Sequence, residues 1–527
     1  MFRHILPGFP ANFRPKSVSR YPPRVKPYLL VVAFERKKGE NTGSMLKIIF
    51  LLIALVSISF AEETKLVNPE SRVQLKNSVE NIISPQKLKD LKAGILISSA
   101  QTGEVLYEQN ADELLIPASV NKIFTSYAAL KRLKPNFTFK TYVYAKGSIQ
   151  NETLAGDLYF KGGGDPSLVS ERLWMLVNDL TRAGIKKVLG NIIVDSSFYD
   201  SVRTPEARPK YLKDQAYNAP IGGLSFNFNT CTVYVKPGQK VGSSPIVYTD
   251  PENTYIDVVN QATTSKAGAD NTLAVNRTEY VKGDLGDTVL LRGAIPLDHK
   301  EVRFYKNIVN PALYAGHMFK TFMVQRGFKI SGNVVEGMVP ENAKQLLEFE
   351  SQPLWQIVWG MNKFSNNFVA DQTLKRLGAE VWGVPGTMEK GITALENVLE
   401  DVGIPKNLYK IVDGSGLTRE TKVTARQIGK VLQMAYKDFS SSPEFIASLG
   451  IGGEDGTMKR RTLAVNESIV RAKTGSLDGV SSLAGYVTSA DNEILTFAIL
   501  LNDPKLKYGK MSTWADQIAV AASKFHR

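Results

Sequence analysis

The feature that most constrains the fold of this chain is an ordered set of three short motifs separated by long, unequal stretches of sequence. In chain order they are Ser119-Val120-Asn121-Lys122, Ser365-Asn366-Asn367 and Lys473-Thr474-Gly475. Counted from Lys122 to Ser365, the first two lie 243 positions apart, and from Ser365 to Lys473 the last two lie 108 apart. Each motif alone is common by chance in 527 residues. As a set they predict a fold that brings three distant segments together.

The first motif lies at a predicted helix start. Apolar residues recur at helical spacing over residues 121–133, so Ser119 opens a helix and Lys122 follows one turn later. Upstream, residues 94–98 and 104–107 have the composition of two strands around a Gln-Thr-Gly turn. We therefore expect a β-hairpin followed by a helix that presents the serine and the lysine on one face.

The second and third motifs have different local settings. Helical patterns return over residues 312–325 and 353–377, and Ser365 interrupts the second of them, which suits a loop or a helix junction. The tail is predicted to form two strands and a helix, at residues 481–488, 494–501 and 514–525. Lys473 precedes this hairpin, so we expect it on a strand that faces the helix of Ser119.

Between the first two motifs the sequence changes character. Residues 131–310 contain short β-like runs divided by Gly, Pro, Asn and Asp, which predicts a β-rich insertion of two subdomains with its own core. It would separate two parts of one domain, residues 62–130 and 311–527. The segment at 162–166, Gly-Gly-Gly-Asp-Pro, lacks a following Gly-Lys-Ser/Thr and is interpreted as a tight turn rather than a phosphate loop.

The serine and lysine of the first motif can act as nucleophile and base. Residues i and i+3 of a helix share a face, so the Lys122 amine can reach the Ser119 oxygen. To act near neutral pH the lysine pKa must fall from about 10.4 to about 7, which costs about 4 kcal/mol. Burial and a neighbouring cation, for which we expect Lys473, can lower it. Taken singly, an ordinary helix N-cap and a solvated lysine explain Ser119 and Lys122 equally well.

The other two motifs supply the remaining groups of an acyl-transfer site. Ser365 would relay a proton to the leaving group, and Asn367 would hold the substrate amide. The Lys473-Thr474-Gly475 motif offers a cation and a hydroxyl to a substrate carboxylate, and its glycine allows close backbone approach. The backbone N–H groups of Ser119 and Ser476 are candidate oxyanion-hole donors. A loop cap and a strand end with a turn are the structural alternatives for these two motifs.

Other catalytic classes lack support in the sequence. None of the histidines, at positions 4, 299, 317 and 526, falls in a motif, and no Gly-x-Ser-x-Gly occurs, which disfavours a Ser-His-Asp hydrolase. No His/Cys cluster suggests zinc, so we expect neither a metal nor a cofactor. Cys231 is the only cysteine, which excludes an internal disulfide, and we expect it to be a small buried hydrophobic residue.

The basic character of the chain is concentrated at one end. Residues 1–61 contribute +8 of the net charge of +14, which weakens a nucleic-acid interpretation. Residues 45–61 combine a lysine, an apolar run of 13 residues at 48–60 and small residues before a cleavage point after Ala61, a secretory signal. A retained membrane anchor is the alternative. Translation is expected to begin at Met45, with residues 1–44 either outside the native protein or a disordered basic extension.

The three motifs resemble those of the penicillin-binding protein and serine β-lactamase superfamily. The long insertion after the first motif is similar to that of the D-alanyl-D-alanine carboxypeptidases of peptidase family S13, the class C low-molecular-mass penicillin-binding proteins. This family is also resembled by three further segments, at residues 162–166, 413–419 and 455–461. The resemblance covers essentially the whole mature chain. The resemblance implies an α/β (α+β) transpeptidase-like catalytic domain, an antiparallel sheet flanked by helices, with a large β-rich insertion.

The resemblance also implies a function. It is that of a periplasmic enzyme that removes the terminal D-Ala from peptidoglycan muropeptides, with DD-endopeptidase activity as well, through an acyl-Ser119 intermediate that β-lactams trap covalently. Relatives place an acidic and an aromatic residue of the insertion near the substrate, for which Asp214 and Tyr217 are the candidates here. A serine β-lactamase and a catalytically inactive wall-binding protein are the alternatives. Contact with a membrane is expected to be peripheral at most, and the sequence does not indicate an oligomeric state.

Overall fold

The computed structural model describes residues 67–83, 90–279, 286–461, 463, 470–506 and 508–527. The predicted signal at residues 45–61 and the extension at 1–44 lie outside the described residues. The helices of the described part are α1 Pro69–Ile82, α2 Lys122–Leu133, α3 Ser170–Thr181, α4 Pro311–Gln325, α5 Leu354–Lys363, α6 Asn367–Trp382, α7 Met388–Asp401, α8 Ala425–Lys437, α9 Ser442–Ser448 and α10 Tyr508–Ser523.

The strands of the described part range from two to eleven residues in length. They are β1 Lys92–Ser99, β2 Val105–Gln109, β3 Lys140–Gln150, β4 Thr153–Gly162, β5 Lys187–Val188, β6 Ile192–Asp195, β7 Thr230–Lys236, β8 Ile246–Asp250, β9 Ile256–Asn260, β10 Thr263–Ser265, β11 Ala274–Glu279, β12 Asp287–Arg292, β13 Ala294–Pro296, β14 Val302–Asn307, β15 Lys329–Ile330, β16 Val334–Glu336, β17 Lys344–Glu350, β18 Gly450–Ile451, β19 Val470–Leu477, β20 Val480–Thr488 and β21 Ile494–Asn502.

A six-stranded antiparallel sheet joins the two ends of the described chain. Its order is β18-β19-β20-β21-β1-β2, so the first hairpin pairs with the last one through β1 and β21. The register runs from Lys92 opposite Asn502 to Ser99 opposite Leu495 without a break. Both predicted hairpins and the antiparallel sheet flanked by helices are thereby confirmed. The strand that carries the third motif, β19, lies beside β20 over its whole length.

Helices cover both faces of this sheet, which explains why its strands are apolar at consecutive positions. In β21, Leu495, Phe497 and Ile499 pack into the core under α1 and α10, whereas Ala498 and Leu500 pack into the core under α2 and α8. Side chains alternate between faces along a strand, so a strand covered on both sides is buried at consecutive positions. The sheet is therefore the central layer, and the core between the sheet and helices α2 and α8 positions α2.

The β-rich insertion is built on a separate sheet. Its order is β15-β5-β4-β3-β17, with β6 pairing with β4 and β16 pairing with β6, and helices α3 and α4 pack on it. At its centre the rings of Phe160 and Phe319 stack at 4.4 Å. A second group of small sheets, β11-β12-β9, β14-β7-β8 and β10-β13, encloses a smaller core that includes Val233, Val289 and Leu291.

The predicted insertion boundary at residue 310 falls before elements that belong to the insertion sheet. Met318 and Phe319 of α4 lie in the insertion core, and β17 pairs with β3 from Ala145 to Lys140. We therefore propose that the chain returns to the catalytic domain near residue 350, at the start of α5. Among the described helices, none is long and apolar enough to cross a bilayer.

Candidate active site

The first motif forms a tight turn that leads directly into α2. Residues Ala118–Asn121 are a 3₁₀ turn, and the α-helix proper begins at Lys122, so the predicted position of Ser119 at a helix start is confirmed. Ala118 has a φ of 47°, a left-handed conformation that costs energy for a residue with a Cβ. The surrounding structure therefore holds the residue before Ser119 in a strained conformation.

Lys122 reaches back to the serine as the sequence predicts. Its Nζ lies 2.9 Å from Ser119 Oγ, 2.7 Å from Asn367 Oδ1 and 2.8 Å from the backbone oxygen of Ser415. The Lys122 side chain is fully buried, whereas Ser119 is half-buried. The amine is thus held by three acceptors with the serine hydroxyl on its open side.

The second motif lies at the predicted junction between two helices, α5 and α6. Ser365 has a φ of 56°, and Asn366 caps α6 by accepting a hydrogen bond from Val369 N at 3.1 Å. The cap leaves the Asn367 side chain, at the first position of the helix, free to face α2. Its Oδ1 accepts from Lys122, and its Nδ2 donates to the backbone oxygen of Tyr217 at 2.9 Å.

The third motif lies on strand β19, as predicted. Lys473 Nζ donates to Ser365 Oγ at 2.8 Å and to the backbone oxygen of Thr474 at 2.9 Å. The Thr474 hydroxyl donates to Thr457 Oγ1 at 2.8 Å. A Cβ added to Gly475 would lie 2.5 Å from the Pro117 oxygen. Only a glycine lets this strand lie so close to the turn that carries Ser119.

Burial changes the protonation of both lysines. Burial is the main cause that lowers the pKa of Lys122 to about 7, and the positive charge of Arg208 lowers the pKa further. The negative charges of Asp371 and Asp413 raise it. Burial also lowers the pKa of Lys473 well below its usual value, and the charge on Lys122 adds to that effect. The expected pKa depression of Lys122 is confirmed in direction.

The cation that helps to lower the pKa of Lys122 is not the one predicted from the sequence. We predicted Lys473, but the cation that acts on Lys122 is Arg208. Repulsion between the two lysines instead lowers the pKa of Lys473. The two carboxylates beneath Lys122 favour its charged form.

A buried ionic cluster supports Lys122 from below. Arg208 forms ion pairs with Asp371 and, at 3.9 Å, with Asp413, and it donates to Ser415 Oγ at 3.1 Å. Burial raises the pKa of Asp371 to about 6, although the Arg208 charge opposes this. The backbone of Ser415, which accepts from Lys122, is thus tied to a guanidinium that comes from the insertion.

Ser119, Ser365 and Asn367 open into a cavity of about 520 Å³ together with Thr474 and Ser476. Lys122 and Lys473 lie buried beneath its floor. The cavity is also lined by residues of three further segments, namely Pro209, Tyr211, Leu212, Tyr217, Gly416, Leu417, Arg419, Thr457, Leu477 and Asp478. Of the two residues predicted from the insertion, Tyr217 is brought to this cavity.

Asp214, the second residue predicted from the insertion, is not brought there. It is absent from the cavity lining, and its carboxylate accepts from Lys306 Nζ at 2.7 Å and from Gln215 Nε2 at 2.8 Å. These hydrogen bonds lower its pKa, although burial acts the other way. The Asp214 carboxylate is therefore engaged in an ion pair inside the insertion.

Several residues of the site were not assigned a role from the sequence. Asp371 had an available signal, because it lies four positions after Asn367 on α6 and therefore on the same helix face. Asp413 and Ser415 belong to a segment noted only for its resemblance. Arg208 had no local signal. Within the part of the chain described here, no group of three or more His, Cys, Asp or Glu side chains could hold a metal ion.

Comparisons with known proteins agree with this geometry. The sequence profile described as "D-Ala-D-Ala carboxypeptidase 3 (S13) family" matches residues 75–525. A D-alanyl-D-alanine carboxypeptidase of Actinomadura sp. (strain R39) is 32% identical over 452 residues, 81% of each chain. The D-alanyl-D-alanine carboxypeptidase DacB of Haemophilus influenzae is 26% identical over 79% of this chain and 87% of its own.

The fold comparison gives the same result. The crystal structure of penicillin binding protein 4 (dacB) from Haemophilus influenzae superposes with a TM-score of 0.73 at 23% identity, covering 85% of this chain and 99% of that one. The predicted transpeptidase-like fold with a β-rich insertion is confirmed, as is the family that the motifs indicate. The chain belongs to the D-Ala-D-Ala carboxypeptidase 3 (S13) family.

Proposed function

We propose that the protein is a serine-type D-alanyl-D-alanine carboxypeptidase that removes the terminal D-Ala from peptidoglycan stem peptides through an acyl-Ser119 intermediate. Family membership supports the reaction class. The observation that carries the proposal for these residues is the 2.9 Å contact between Lys122 Nζ and Ser119 Oγ. With its pKa lowered to about 7, Lys122 is partly unprotonated at neutral pH and can accept the serine proton.

Acylation begins with transfer of the Ser119 hydroxyl proton to Lys122. The serine oxygen bonds to the carbonyl carbon of the penultimate D-Ala, and the carbonyl oxygen becomes an oxyanion. The backbone N–H groups of Ser119 and Ser476, which both line the cavity, are the proposed donors to it, each worth roughly 10²- to 10³-fold in rate. When the tetrahedral intermediate collapses, the bond to the terminal D-Ala nitrogen breaks.

The departing amine needs a proton, and Ser365 is placed to give it. Ser365 Oγ accepts from Lys473 Nζ at 2.8 Å, so a proton given up by the hydroxyl can be replaced from the lysine. A lysine with a lowered pKa gives up that proton more easily. Water then attacks the acyl-serine ester, which releases the shortened peptide and restores the Ser119 hydroxyl.

The carboxylate next to the scissile bond is proposed to bind at the strand edge of β19. Thr474 and Ser476 present hydroxyls to the cavity, and Arg419 is the one cationic side chain among the described residues of its lining. Lys473 lies behind them, fully buried. The second Nδ2 hydrogen of Asn367 can hold the substrate amide, since the first is used by Tyr217.

The same site suits a DD-endopeptidase reaction. A terminal D-Ala-D-Ala and a D-Ala to diaminopimelate cross-link both carry a carboxylate on the D-centre beside the scissile bond, so one carboxylate site serves both. The cavity is open and about 520 Å³ in volume, which leaves room for a substrate larger than two alanines. β-Lactams would acylate Ser119 in place of the peptide and inhibit both activities.

A β-lactamase function with the same fold is the second candidate. A class A β-lactamase adds a glutamate that activates the water for deacylation. Among the described residues that line this cavity there is no glutamate, and the acidic one is Asp478. A long-lived penicillin adduct is therefore the expected outcome. Loss of catalysis, the third alternative, is disfavoured because Lys122 contacts both Ser119 and Asn367, and Lys473 contacts Ser365.

We further propose that the protein is exported and works in the periplasm on the cell wall. The apolar run at residues 48–60, with small residues before Ala61, supports removal of a signal peptide. A mature chain beginning at Glu62 is the expected product. Recovery of exported protein that retains residues 45–61 would instead show an anchor.

One experiment tests these proposals together. The exported protein is treated with penicillin and digested, and mass spectrometry then reports both the mature N-terminus and the acylated residue. We expect an adduct on the peptide that contains Ser119, and release of D-Ala from a pentapeptide by the untreated enzyme. An adduct on another residue, or fast turnover of penicillin without D-Ala release, would contradict the carboxypeptidase assignment.

A further inference from the structure

A second cavity, of about 620 Å³, lies beside the active site inside the insertion. We call it the arginine cavity, because Arg203, Arg208, Lys213 and Arg277 line it. The other lining residues are neutral, and none of the described lining residues is acidic. Four cationic side chains around one cavity create a positive potential that attracts anions.

Three of the nearby carboxylates are already paired with a cation. Asp371 pairs with Arg208, Glu336 lies 3.2 Å from Arg203, and Asp214 lies 2.7 Å from Lys306. These contacts offset the charges of Arg203 and Arg208. The other two cations that line the cavity are Arg277 and Lys213, and neither forms an ion pair with a described carboxylate.

Arg277 is the informative member of the cavity. It is only 8% exposed, and its guanidinium donates to neutral acceptors, Asn307 Oδ1 at 3.0 Å and the backbone oxygen of Lys213 at 2.8 Å. A buried charge is normally paired with an opposite one, because desolvation without compensation is costly. A buried guanidinium that lines an open cavity and forms no ion pair within the described part of the chain favours a counterion that comes from solution.

The two cavities are separated by a single short segment of the insertion, residues 208–218. Pro209 lines both of them. Along the segment, Tyr217 faces the active site and the next residue, Asn218, faces the arginine cavity. A chain that leaves the active site across this segment reaches the arginine cavity directly.

We propose that the arginine cavity binds an oxyanion, a carboxylate or a phosphate, that belongs to the wall polymer held in the active site. The identity of the polymer rests on the proposed function, whereas the anion site rests on the cavity and on Arg277. A carboxylate would come from a second stem peptide of a cross-linked muropeptide. A phosphate would come from a phosphate-bearing polymer attached to the wall.

The first test uses inorganic phosphate as the probe and isothermal titration calorimetry as the readout. Lys213→Glu places a carboxylate beside Arg277 at an exposed position, so the fold is retained and the site is occupied internally. We expect the phosphate Kd to rise at least about 10-fold, the usual effect of losing a hydrogen bond to a charged group. Lys240→Glu, the same charge change at an exposed lysine of the insertion outside this cavity, is the matched control and leaves the Kd unchanged.

Arg277→Gln is the second variant. Glutamine keeps a donor for the neighbouring oxygens but removes the charge, and we expect the same loss of phosphate binding. Equal phosphate affinity in the wild type, Lys213→Glu and folded Arg277→Gln would overturn the proposal. An equal loss in Lys240→Glu would overturn it as well, because net charge alone would then explain the binding.

The second arm identifies the source of the oxyanion. With a cross-linked muropeptide dimer as substrate, a KM about 10-fold higher in Lys213→Glu, at unchanged kcat, supports a stem-peptide carboxylate. Loss of phosphate binding at unchanged KM supports the phosphate-bearing polymer. Acylation by penicillin is measured in the same samples and is expected to be unchanged. A wild-type protein without a penicillin adduct would refute the proposed function, and this result is separate from the outcome for the anion site.

Discussion

Gly475→Ala tests whether close contact between β19 and the Ser119 turn positions the nucleophile. A Cβ added at this glycine lies 2.5 Å from the Pro117 oxygen, 3.1 Å from Val120 N and 3.2 Å from Ser119 N. All three neighbours are backbone atoms, which cannot rotate away as a side chain can. Ordinary contact begins near 3.4 Å, so the strand and the turn must separate by about 0.9 Å.

The size of that movement sets the expected loss. A displacement of about 1 Å between reacting groups costs roughly 10²-fold in rate. Overpacking of a core by one methyl group typically costs 1–3 kcal/mol of unfolding free energy. We therefore expect acylation about 100-fold slower with only a moderate fall in Tm, because the methyl group pushes Ser119 and Thr474 apart without removing either.

The assay is the second-order rate of acylation by a fluorescent penicillin, with thermal unfolding measured on the same samples. Gly360→Ala is the matched control, since a Cβ at that helical glycine meets nothing within 4 Å. It should acylate at the wild-type rate and be slightly more stable. If Gly475→Ala acylated within about 2-fold of wild type at unchanged Tm, the close approach of strand and turn would be refuted.

Four further predictions follow from the site. The second-order rate constant of acylation should fall about tenfold per pH unit below pH 7, because Lys122, with a pKa of about 7, is protonated there and cannot accept a proton. A pH-independent rate from pH 5 to 8 would exclude Lys122 as the base. Ser119→Ala should give no penicillin adduct by mass spectrometry, whereas folded Lys122→Ala should acylate roughly 10²- to 10⁴-fold more slowly, and near-normal acylation would shift the base role to Ser365. Amidation of the substrate carboxylate should lower kcat/KM at least about 10-fold in a D-Ala release assay, and equal cleavage would remove that role from Thr474. Arg208→Met should lower the free energy of unfolding by about 3–5 kcal/mol in denaturant titrations, since it leaves Asp371 buried without its partner, and a loss below 1 kcal/mol would contradict that pairing.

The elements that carry the motifs were predictable because their signals are local. The helix of Lys122 follows from apolar spacing within 13 residues, and the last two strands follow from apolar runs around a turn. The contact between Lys122 and Ser119 follows from helix geometry alone. Three ordered motifs then required the helix and β19 to face each other, and the sheet order explains how they do.

The residues beneath the site were not predictable because their partners are distant in sequence. Arg208 and Asp371 are 163 positions apart, and an ion pair has no periodicity to reveal it. Asp214 was misplaced for a related reason, since its partner Lys306 lies 92 positions away and sequence position does not show which way a loop carboxylate points. The boundary at 310 depends on β17 pairing back to β3, another long-range contact.

The insertion is therefore part of the active site and more than an appended domain. The backbone oxygen of Tyr217 in the insertion accepts from Asn367 Nδ2, and Arg208 of the insertion donates to Ser415 Oγ. Asn367 and Ser415 are the two groups besides Ser119 that accept from Lys122, so the insertion holds both of them. Burial is the main cause that lowers the pKa of this lysine to about 7, and the charges of Arg208 and of two carboxylates adjust it in opposite directions. If an anion binds in the arginine cavity, it approaches the residue that contributes to this balance, because Arg208 lines that cavity and contacts the Lys122 cluster. Anion binding in the insertion would thereby be connected to the proposed proton transfer at Ser119 through one side chain.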